Sequence, residues 1–314
     1  MTISMRAVSQ RAYGGPEVLE VVRLDRPVPR PGEVLVKVLA AGVNPADWKL
    51  RSGLVRKFGA PPFVLGLDFC GVVTEPGDDS GPFRPGDVVY GCGFPPRGTY
   101  AEYTIAPVTA LAAKPSGLDA AHAAALPVAG LTAWQSLVEA AAIRAGQRVL
   151  IHAAAGGVGH LAVQIAKSRG AYVIGTARAE KHSFLRELGA DELLDYTATD
   201  FAAVLRDIDV VLDPISGDYG PRSLRTLAPG GILVDVRGTG PDRTAVRADA
   251  ERRGLRFAEF GFTPSGADLR RLGELADQGG LRVLVDRTLP LDEAAEAHRL
   301  SESNRLKGKL VLVP

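Results

Sequence analysis

The feature that constrains this chain most is the stretch RVLIHAAAGGVGHLAVQIAKSRGAYVIGTARAEK, from Arg148 to Lys181. Val149, Leu150 and Ile151 make an apolar run of buried-strand length. Gly156, Gly157 and Gly159, with Val158 among them, form a turn that keeps bulky side chains out of the way. Leu161, Val163, Ile165 and Ala166 then open a helical pattern, and a second strand is expected over Ala171 to Thr176. Strand, glycine turn, helix and strand in this order suit a dinucleotide. Glycines let the backbone approach a pyrophosphate, and the helix N-terminus offers free N–H groups and a favourable dipole. Aligned on G-x-G-x-x-G, the chain supplies Ala154, Gly156 and Gly159, so an alanine stands at the first glycine.

The end of the second strand bears on which dinucleotide is taken. Thr176 is followed by Ala177 and Arg178, with Lys181 close behind. No carboxylate stands there to bind a ribose 2′-hydroxyl, whereas Arg178 and Lys181 could bind a 2′-phosphate. NADPH is therefore expected over NADH.

At 314 residues the chain exceeds what one core usually organises, so two domains are expected. A net charge of +1 argues against broad attraction to nucleic acid or an anionic membrane. The N-terminus MTISMRAVSQ lacks an apolar signal core, and no run is long and apolar enough to span a bilayer. Cys70 and Cys92 are the only cysteines, which suits a reducing cytoplasm. The expected location is cytoplasmic.

The first part of the chain reads as β-rich. Strands are expected over Arg6 to Ala12, Glu33 to Ala40, Gly71 to Thr74, Asp87 to Tyr90 and Tyr100 to Ile105, with Gly and Pro between them. Such spacing suggests a small barrel-like domain. From Ala120 an alanine-rich helical stretch to Ala142 leads into alternating strands and helices, which imply a doubly wound parallel sheet. The tail from about 262 is mixed again and is expected to return to the β domain. The expected division is 1–119 with 262–314 for the β domain and 120–261 for the nucleotide-binding domain.

The β domain followed by βαβ order resembles the medium-chain dehydrogenase/reductase superfamily, and within it the zinc-independent quinone oxidoreductase and enoyl reductase branch. The likeness is carried by AAGVNPADWKLRSG at Ala40 to Gly53, LGLDFCGVV at Leu65 to Val73, GTYAEY at Gly98 to Tyr103, LPVAGLTAWQSL at Leu126 to Leu137, AAAGGVG at Ala153 to Gly159 and RLKGKLVLVP at Arg305 to Pro314. It implies an α/β fold with a GroES-like β-barrel catalytic domain and a Rossmann-type nucleotide-binding domain. Zinc-dependent relatives place a cysteine where this chain has Val43–Asn44 and a His-Glu pair where it has Leu67–Asp68. None of the five histidines lies in the N-terminal β-rich part. Asp47, Asp68 and Cys70 could in principle meet, but the ligand-count rule weighs against them and no metal is expected.

Without zinc, a conjugated carbonyl supplies the electrophilic carbon that a hydride needs. The developing enolate oxygen then needs a hydrogen-bond donor and the α-carbon a proton. The resemblance implies that Asn44 lies beside the nicotinamide ribose and substrate; the alternative is a simple Asn-Pro turn. Lys49 stands where some relatives carry a tyrosine, as a donor, a phosphate contact or a solvated side chain. Thr132 is expected to open or line a helix near the nicotinamide, or merely to cap it. Tyr196 matches a tyrosine at the 2′-phosphate end, or is a half-buried aromatic. Gly238 matches a backbone contact to the nicotinamide amide, with Arg237 beside it. Arg305 resembles a basic residue near the cofactor phosphates, as does Lys307, and both could equally be solvated.

The expectation is an NADPH-dependent, zinc-free reductase of quinones or of the C=C bond of α,β-unsaturated carbonyls, with substrate entering between the domains. The alternatives are a non-catalytic NADPH-binding protein, a zinc alcohol dehydrogenase with unusual ligands and a pathway-specific enoyl reductase. A homodimer could form through an edge strand over Leu255 to Phe262.

Overall fold

Alternating valines at 34, 36 and 38 put one face of a long strand into an apolar core. In the computed structural model, which describes residues 3–78, 81–236 and 243–314, that strand is β3 (Glu33–Val43), with elements numbered along the chain. It is the centre of the first unit, formed by 1–131, 264–279 and 283–314. It pairs with β5 (Asp68–Pro76) and β7 (Tyr103–Pro107), and the sheet continues from β5 through β6 (Val88–Cys92) to β8 (Leu111–Ala113). The tail adds β15 (Val285–Pro290) and β16 (Lys309–Val313), giving the order β15-β16-β3-β5-β6-β8 with β7 also paired to β3. A second sheet joins β2 (Glu20–Asp25), β1 (Ser4–Gln10) and β4 (Phe63–Val64). The tail strand β16 runs antiparallel to β3, pairing Leu310 with Val43 and Leu312 with Ala41. That register brings a position near the C-terminus against the end of β3.

Helix α1 (Pro45–Ser52) follows β3 directly, where the sequence alone suggested no more than a turn. Pro45 sits at the first helical position, and Gly53 ends the helix in the left-handed region at φ 80°. The alanine-rich stretch is one helical region broken in three. Helix α2 (Ala120–Ala125) packs on β3, β5 and β16, α3 (Pro127–Trp134) restarts at the proline, and a π turn covers Gln135–Ala140. Pro127 cannot donate to the preceding turn, so the continuous helix expected from Ala120 to Ala142 is interrupted there. The division between units falls inside α3, at Leu131/Thr132 rather than at 119/120, because α2 buries its alanines against the first unit's strands. Helices α9 (Gly266–Asp277) and α10 (Ala294–Glu302) also belong to the first unit.

The second unit comprises 132–263 and 280–282. Its sheet is parallel, with strands β9 (Arg148–Ile151), β10 (Tyr172–Thr176), β11 (Glu192–Leu194), β12 (Ile208–Asp213), β13 (Leu227–Asp235) and β14 (Arg256–Glu259). Their order β11-β10-β9-β12-β13-β14 reverses between β9 and β12. A doubly wound sheet binds dinucleotides at such a reversal, outside the carboxyl ends of the strands. The strands are apolar runs, with Val149, Leu150, Ile151, Val173, Ile174, Val211 and Leu233 fully buried, as a parallel sheet covered on both faces requires. Helices α4 (Gly159–Ser168), α5 (His182–Glu187), α6 (Phe201–Val204), α7 (Tyr219–Leu224) and α8 (Thr244–Arg252) complete the unit. The expected α/β architecture, a GroES-like domain with a Rossmann-type sheet, is the one observed.

Candidate functional site

The turn after β9 is built around close backbone contacts. Ala153 takes a left-handed conformation at φ 48°, and Gly156 N–H donates to its carbonyl at 2.9 Å. A Cβ on Gly159 would stand 2.3 Å from Ala153 O and 2.7 Å from the Ala154 backbone, so only glycine fits at the start of α4. Gly157 and Val158 form the turn that leads into α4, at the helix end where backbone N–H groups are generally left for a ligand. Ala154, at the first motif position, is fully buried, and its N–H donates to Thr176 O at 3.0 Å. A Cβ on Gly175 of β10 would lie 2.9 Å from the Ala154 Cβ. The methyl that replaces the first glycine is accommodated by a glycine on the neighbouring strand.

At the end of β10 the Thr176 side chain is buried and faces His152 Nδ1 at 3.1 Å. His152 Nε2 faces Ser223 Oγ at 3.1 Å, and the ring packs against Phe201 and Tyr219. Burial drives its pKa down to about 3, so this histidine is a neutral core residue. Arg178 and Tyr196 are both exposed, and Arg178 Nε donates to Tyr196 OH at 3.2 Å. Lys181 is half-buried one short turn further on, its N–H donating to Arg178 O at 2.9 Å. A carboxylate does reach this corner, which the sequence alone did not reveal. Asp195, after β11, accepts from Ala179 N at 3.1 Å and from Thr197 N and Oγ1. The Thr197 hydroxyl, first among those donors, holds it below the ordinary carboxylate range. With glycine clearance at the turn and cationic side chains at the end of β10, the second unit could hold the pyrophosphate and ribose ends of a dinucleotide.

The first unit contains a buried polar cluster where β3, β5 and β16 converge. Asn44 caps α1 and is 3% exposed. Its Nδ2 donates to Asp68 Oδ2 at 2.8 Å, and its Oδ1 accepts from the Lys309 ammonium. Lys309 Nζ also donates to Val43 O at 2.9 Å and to Asp68 Oδ2 at 3.2 Å. The other Asp68 oxygen accepts from Val128 N at 2.7 Å. Gly42 makes the approach possible, since a Cβ there would stand 2.5 Å from Ala124 O and 2.8 Å from Asp68 Oδ2. Burial pushes the Asp68 carboxyl up; Lys309, Asn44 and the Val128 amide act against it.

The cluster continues through Asp47. Its Oδ2 accepts from Asn44 N at 2.8 Å and from Tyr100 OH at 3.0 Å. Burial raises the Asp47 carboxyl from 3.8 to about 7. His298, from the tail, lies 3.4 Å from Tyr100 OH and 3.2 Å from an Arg51 nitrogen, and Arg51 pairs with Glu302. Asp47 and Asp68 thus meet the same asparagine, while Cys70 faces Tyr90 across β5 and β6. Among the described residues no three His, Cys, Asp or Glu side chains are arranged to hold a metal ion.

The remaining predicted residues are dispersed. Lys49 lies on α1 with its ammonium 5.8 Å from the Trp48 ring centroid. Thr132 lies inside α3 rather than opening it, and is 8% exposed. Arg305 is exposed on the first unit's segment between α10 and β16. Gly238 and Arg237 lie outside the described residues. Sequence reasoning missed Asp68, Lys309, Tyr100 and His298 as one cluster. The only signals were an acid in the apolar LGLDF and a lysine in the basic KGKLV.

A parallel sheet that reverses at its first glycine turn, joined to a β domain with a buried Asn–Asp–Lys site, defines a dinucleotide-dependent dehydrogenase or reductase. The family description "Alcohol dehydrogenase GroES-like domain" matches residues 30–116, and "Zinc-binding dehydrogenase" matches residues 188–312. The chain is 32% identical to the quinone oxidoreductase of Homo sapiens, with 98% of each chain covered. It is 38% identical over 292 residues to the spectinabilin polyketide synthase system protein NorB of Streptomyces orinoci, covering 90% of this chain but 13% of that protein. Among solved structures, the quinone oxidoreductase from Coxiella burnetii has a TM-score of 0.94 at 37% identity, covering 99% of this chain and 100% of that one. The Escherichia coli quinone oxidoreductase complexed with NADPH has a TM-score of 0.90 at 28% identity, covering 98% and 100%. The chain belongs to the medium-chain dehydrogenase/reductase superfamily, in its zinc-independent quinone oxidoreductase branch, and is an NAD(P)H oxidoreductase. Among the described residues no helix is long and apolar enough to cross a membrane.

Proposed function

We propose that this oxidoreductase uses NADPH to reduce quinones or the conjugated C=C bond of α,β-unsaturated carbonyls, without zinc. The observation that carries the cofactor choice is Arg178 held by Tyr196 at the end of β10, with Lys181 beside it. A guanidinium fixed at that corner matches a 2′-phosphate, and the solved relative complexed with NADPH supports the same choice. Ala154, Gly156, Gly157, Val158 and Gly159 would hold the pyrophosphate, and Thr176 would shape the floor of the site through its backbone. Bound NADPH would supply a hydride. Gly238 and Arg305 remain candidate contacts on the resemblance alone.

Asn44 is the group suited to the substrate oxygen. Its Nδ2 carries two hydrogens; one is committed to Asp68, leaving the other as a donor. As a hydride reaches the β-carbon of an enone, electron density moves to the carbonyl oxygen, and a fixed N–H stabilises that charge. The α-carbon then takes a proton from water or a nearby donor such as Lys49. A quinone takes the hydride at a ring carbon and a proton on the resulting oxyanion; loss of the proton from that carbon, with protonation of the second oxygen, then gives the aromatic hydroquinone. Thr132 would line the nicotinamide side. Names of relatives in the quinone oxidoreductase group support quinones, and the likeness to the solved CurK enoyl reductase, with a TM-score of 0.88 at 29% identity, favours an enoyl substrate as the second reading. The proposal extends to a homodimer through β14, the last strand in the sheet order. The test is NADPH oxidation across a panel of quinones, enones and enoyl thioesters. Turnover of any of these classes supports the proposal; tight NADPH binding with no turnover across the panel indicates a binding protein instead.

A further inference from the structure

We propose that Lys309 is a positioning residue: its ammonium, acting with Asp68, fixes the direction and the polarity of the Asn44 amide. The inference rests on the proposed reductase function.

An asparagine side chain is ambiguous by shape, because its oxygen and nitrogen are nearly isosteric. At this site chemistry removes the ambiguity. A lysine ammonium only donates and an ionised carboxylate only accepts. With Lys309 Nζ on one side and Asp68 Oδ2 on the other, Asn44 must turn its oxygen to the lysine and its nitrogen to the aspartate. The second Nδ2 hydrogen then has one direction in which to point. The backbone fixes the third side, since Asn44 N is bonded to Asp47 Oδ2 at 2.8 Å.

The ammonium itself is held as a tripod. Its three hydrogens match three acceptors, the Val43 carbonyl, Asn44 Oδ1 and Asp68 Oδ2. Lys309 and Asp68 have side-chain exposures of 3% and 0%, so little water competes for these bonds. A cation on Oδ1 draws electrons from the amide and makes its remaining N–H a stronger donor, an effect that a low local dielectric enlarges. Lys309 thus does to the asparagine what a substrate oxygen needs done, while remaining hidden behind it.

The strand register builds the arrangement. Lys309 opens β16, whose pairing of Leu310 with Val43 brings it to the end of β3. Asp68 opens β5, which pairs with β3 through Cys70 and Ala40. The Val128 amide, bonded to the second Asp68 oxygen at 2.7 Å, keeps that carboxylate from turning away. A buried ion pair is itself weak evidence of stabilisation, because desolvation offsets its attraction. The three-way fit to Asn44 is the observation that points to positioning.

The experiment measures kcat, KM and NADPH affinity for the full chain and for Lys309→Met, Lys309→Ala and the charge-free pair Lys309→Met with Asp68→Asn. Thermal melts confirm folding. NADPH affinity is expected to stay within about twofold in all variants, while kcat falls at least tenfold, a loss in the direction of removing an oxyanion donor. In Lys309→Ala, added methylammonium or ethylammonium should restore kcat in a saturable manner. Lys309→Met, whose side chain fills the space without charge, should not respond. Should Lys309→Met leave the protein unfolded, the charge-free pair carries the same test without a lone buried carboxylate. Wild-type turnover together with near-normal kcat in these variants, or loss of stability with no rescue of kcat by amines, would overturn the role of Lys309 and leave the reductase assignment standing. Wild-type protein that binds NADPH but reduces no substrate would sink the reductase assignment itself, and the positioning role with it.

Discussion

Arg178 Nε donates to the Tyr196 hydroxyl at 3.2 Å, joining the residues that follow β10 and β11 on the surface of the nucleotide-binding unit. Neither side chain has a core to define it, so each orders the other. Tyr196→Phe removes the acceptor and frees the guanidinium. The expected result is an increase of about three- to tenfold in the Kd for NADPH, in keeping with the ~1 kcal/mol net worth of one hydrogen bond. The Kd for NADH should not change, and fluorescence titration with both nucleotides checks this.

The alanine at the first motif position gives a second test. Gly175→Ala adds a methyl 2.9 Å from the Ala154 Cβ, and overpacking of this kind typically destabilises by about 1–3 kcal/mol. Ala154→Gly in the same chain removes the opposing methyl. A double-mutant cycle by denaturant unfolding should therefore show strong coupling, with the double variant recovering most of the loss. Additive losses would mean that the two positions do not share one space.

Gly159→Ala is expected to be worse than either, because its new Cβ would meet the backbone of Ala153 and Ala154 rather than a flexible side chain. Nucleotide binding and thermal stability should fall together, readable by titration and by the melting temperature. A variant with unchanged NADPH affinity would show that the turn is not the pyrophosphate site.

Asp47 gives a signed pH prediction. Its folded-state pKa of about 7 lies above the ordinary 3.8, so the folded protein holds a proton that the unfolded chain releases between those values. Its contribution to stability is therefore fully present below about pH 4 and is lost as pH rises through 7. In Asp47→Asn, which keeps an acceptor oxygen, that loss should vanish. Melting temperatures from pH 4 to 8 should diverge from wild type at the alkaline end, with the variant the more stable. Parallel curves would mean that Asp47 is ionised throughout.

Much of the second unit was legible in the sequence because its signals are local. The run Val149 to Ile151, the glycines and the basic end of β10 lie within one βαβ unit, and the structure places each on the expected element. Helix α8 is not legible because the stretch from Thr244 to Arg252, rich in charge, presents no apolar stripe. The Asn44 site was only half legible. Asn44 and Asp68 stood in recognisable motifs, but Lys309 reads as one more charge in a basic tail. Its burial follows from the β16–β3 register, a contact spanning most of the chain. His298, on α10, and Tyr100 likewise meet across a separation of 198 residues. Helix α1 is not legible in the sequence because Asn-Pro is as good a turn signal as it is a helix start.

The cationic corner after β10, with Arg178 and Lys181, is proposed to select the phosphorylated nucleotide. The most direct measurement is the ratio of Kd for NADH to Kd for NADPH, in wild type and in Arg178→Glu. The wild type should prefer NADPH by about tenfold or more, and the variant should lose at least tenfold for NADPH while holding NADH affinity within about threefold, as expected of a charge-assisted hydrogen bond worth ~1.5–3 kcal/mol. Equal affinity for the two nucleotides in the wild type, or a parallel loss of both in the variant, would contradict it.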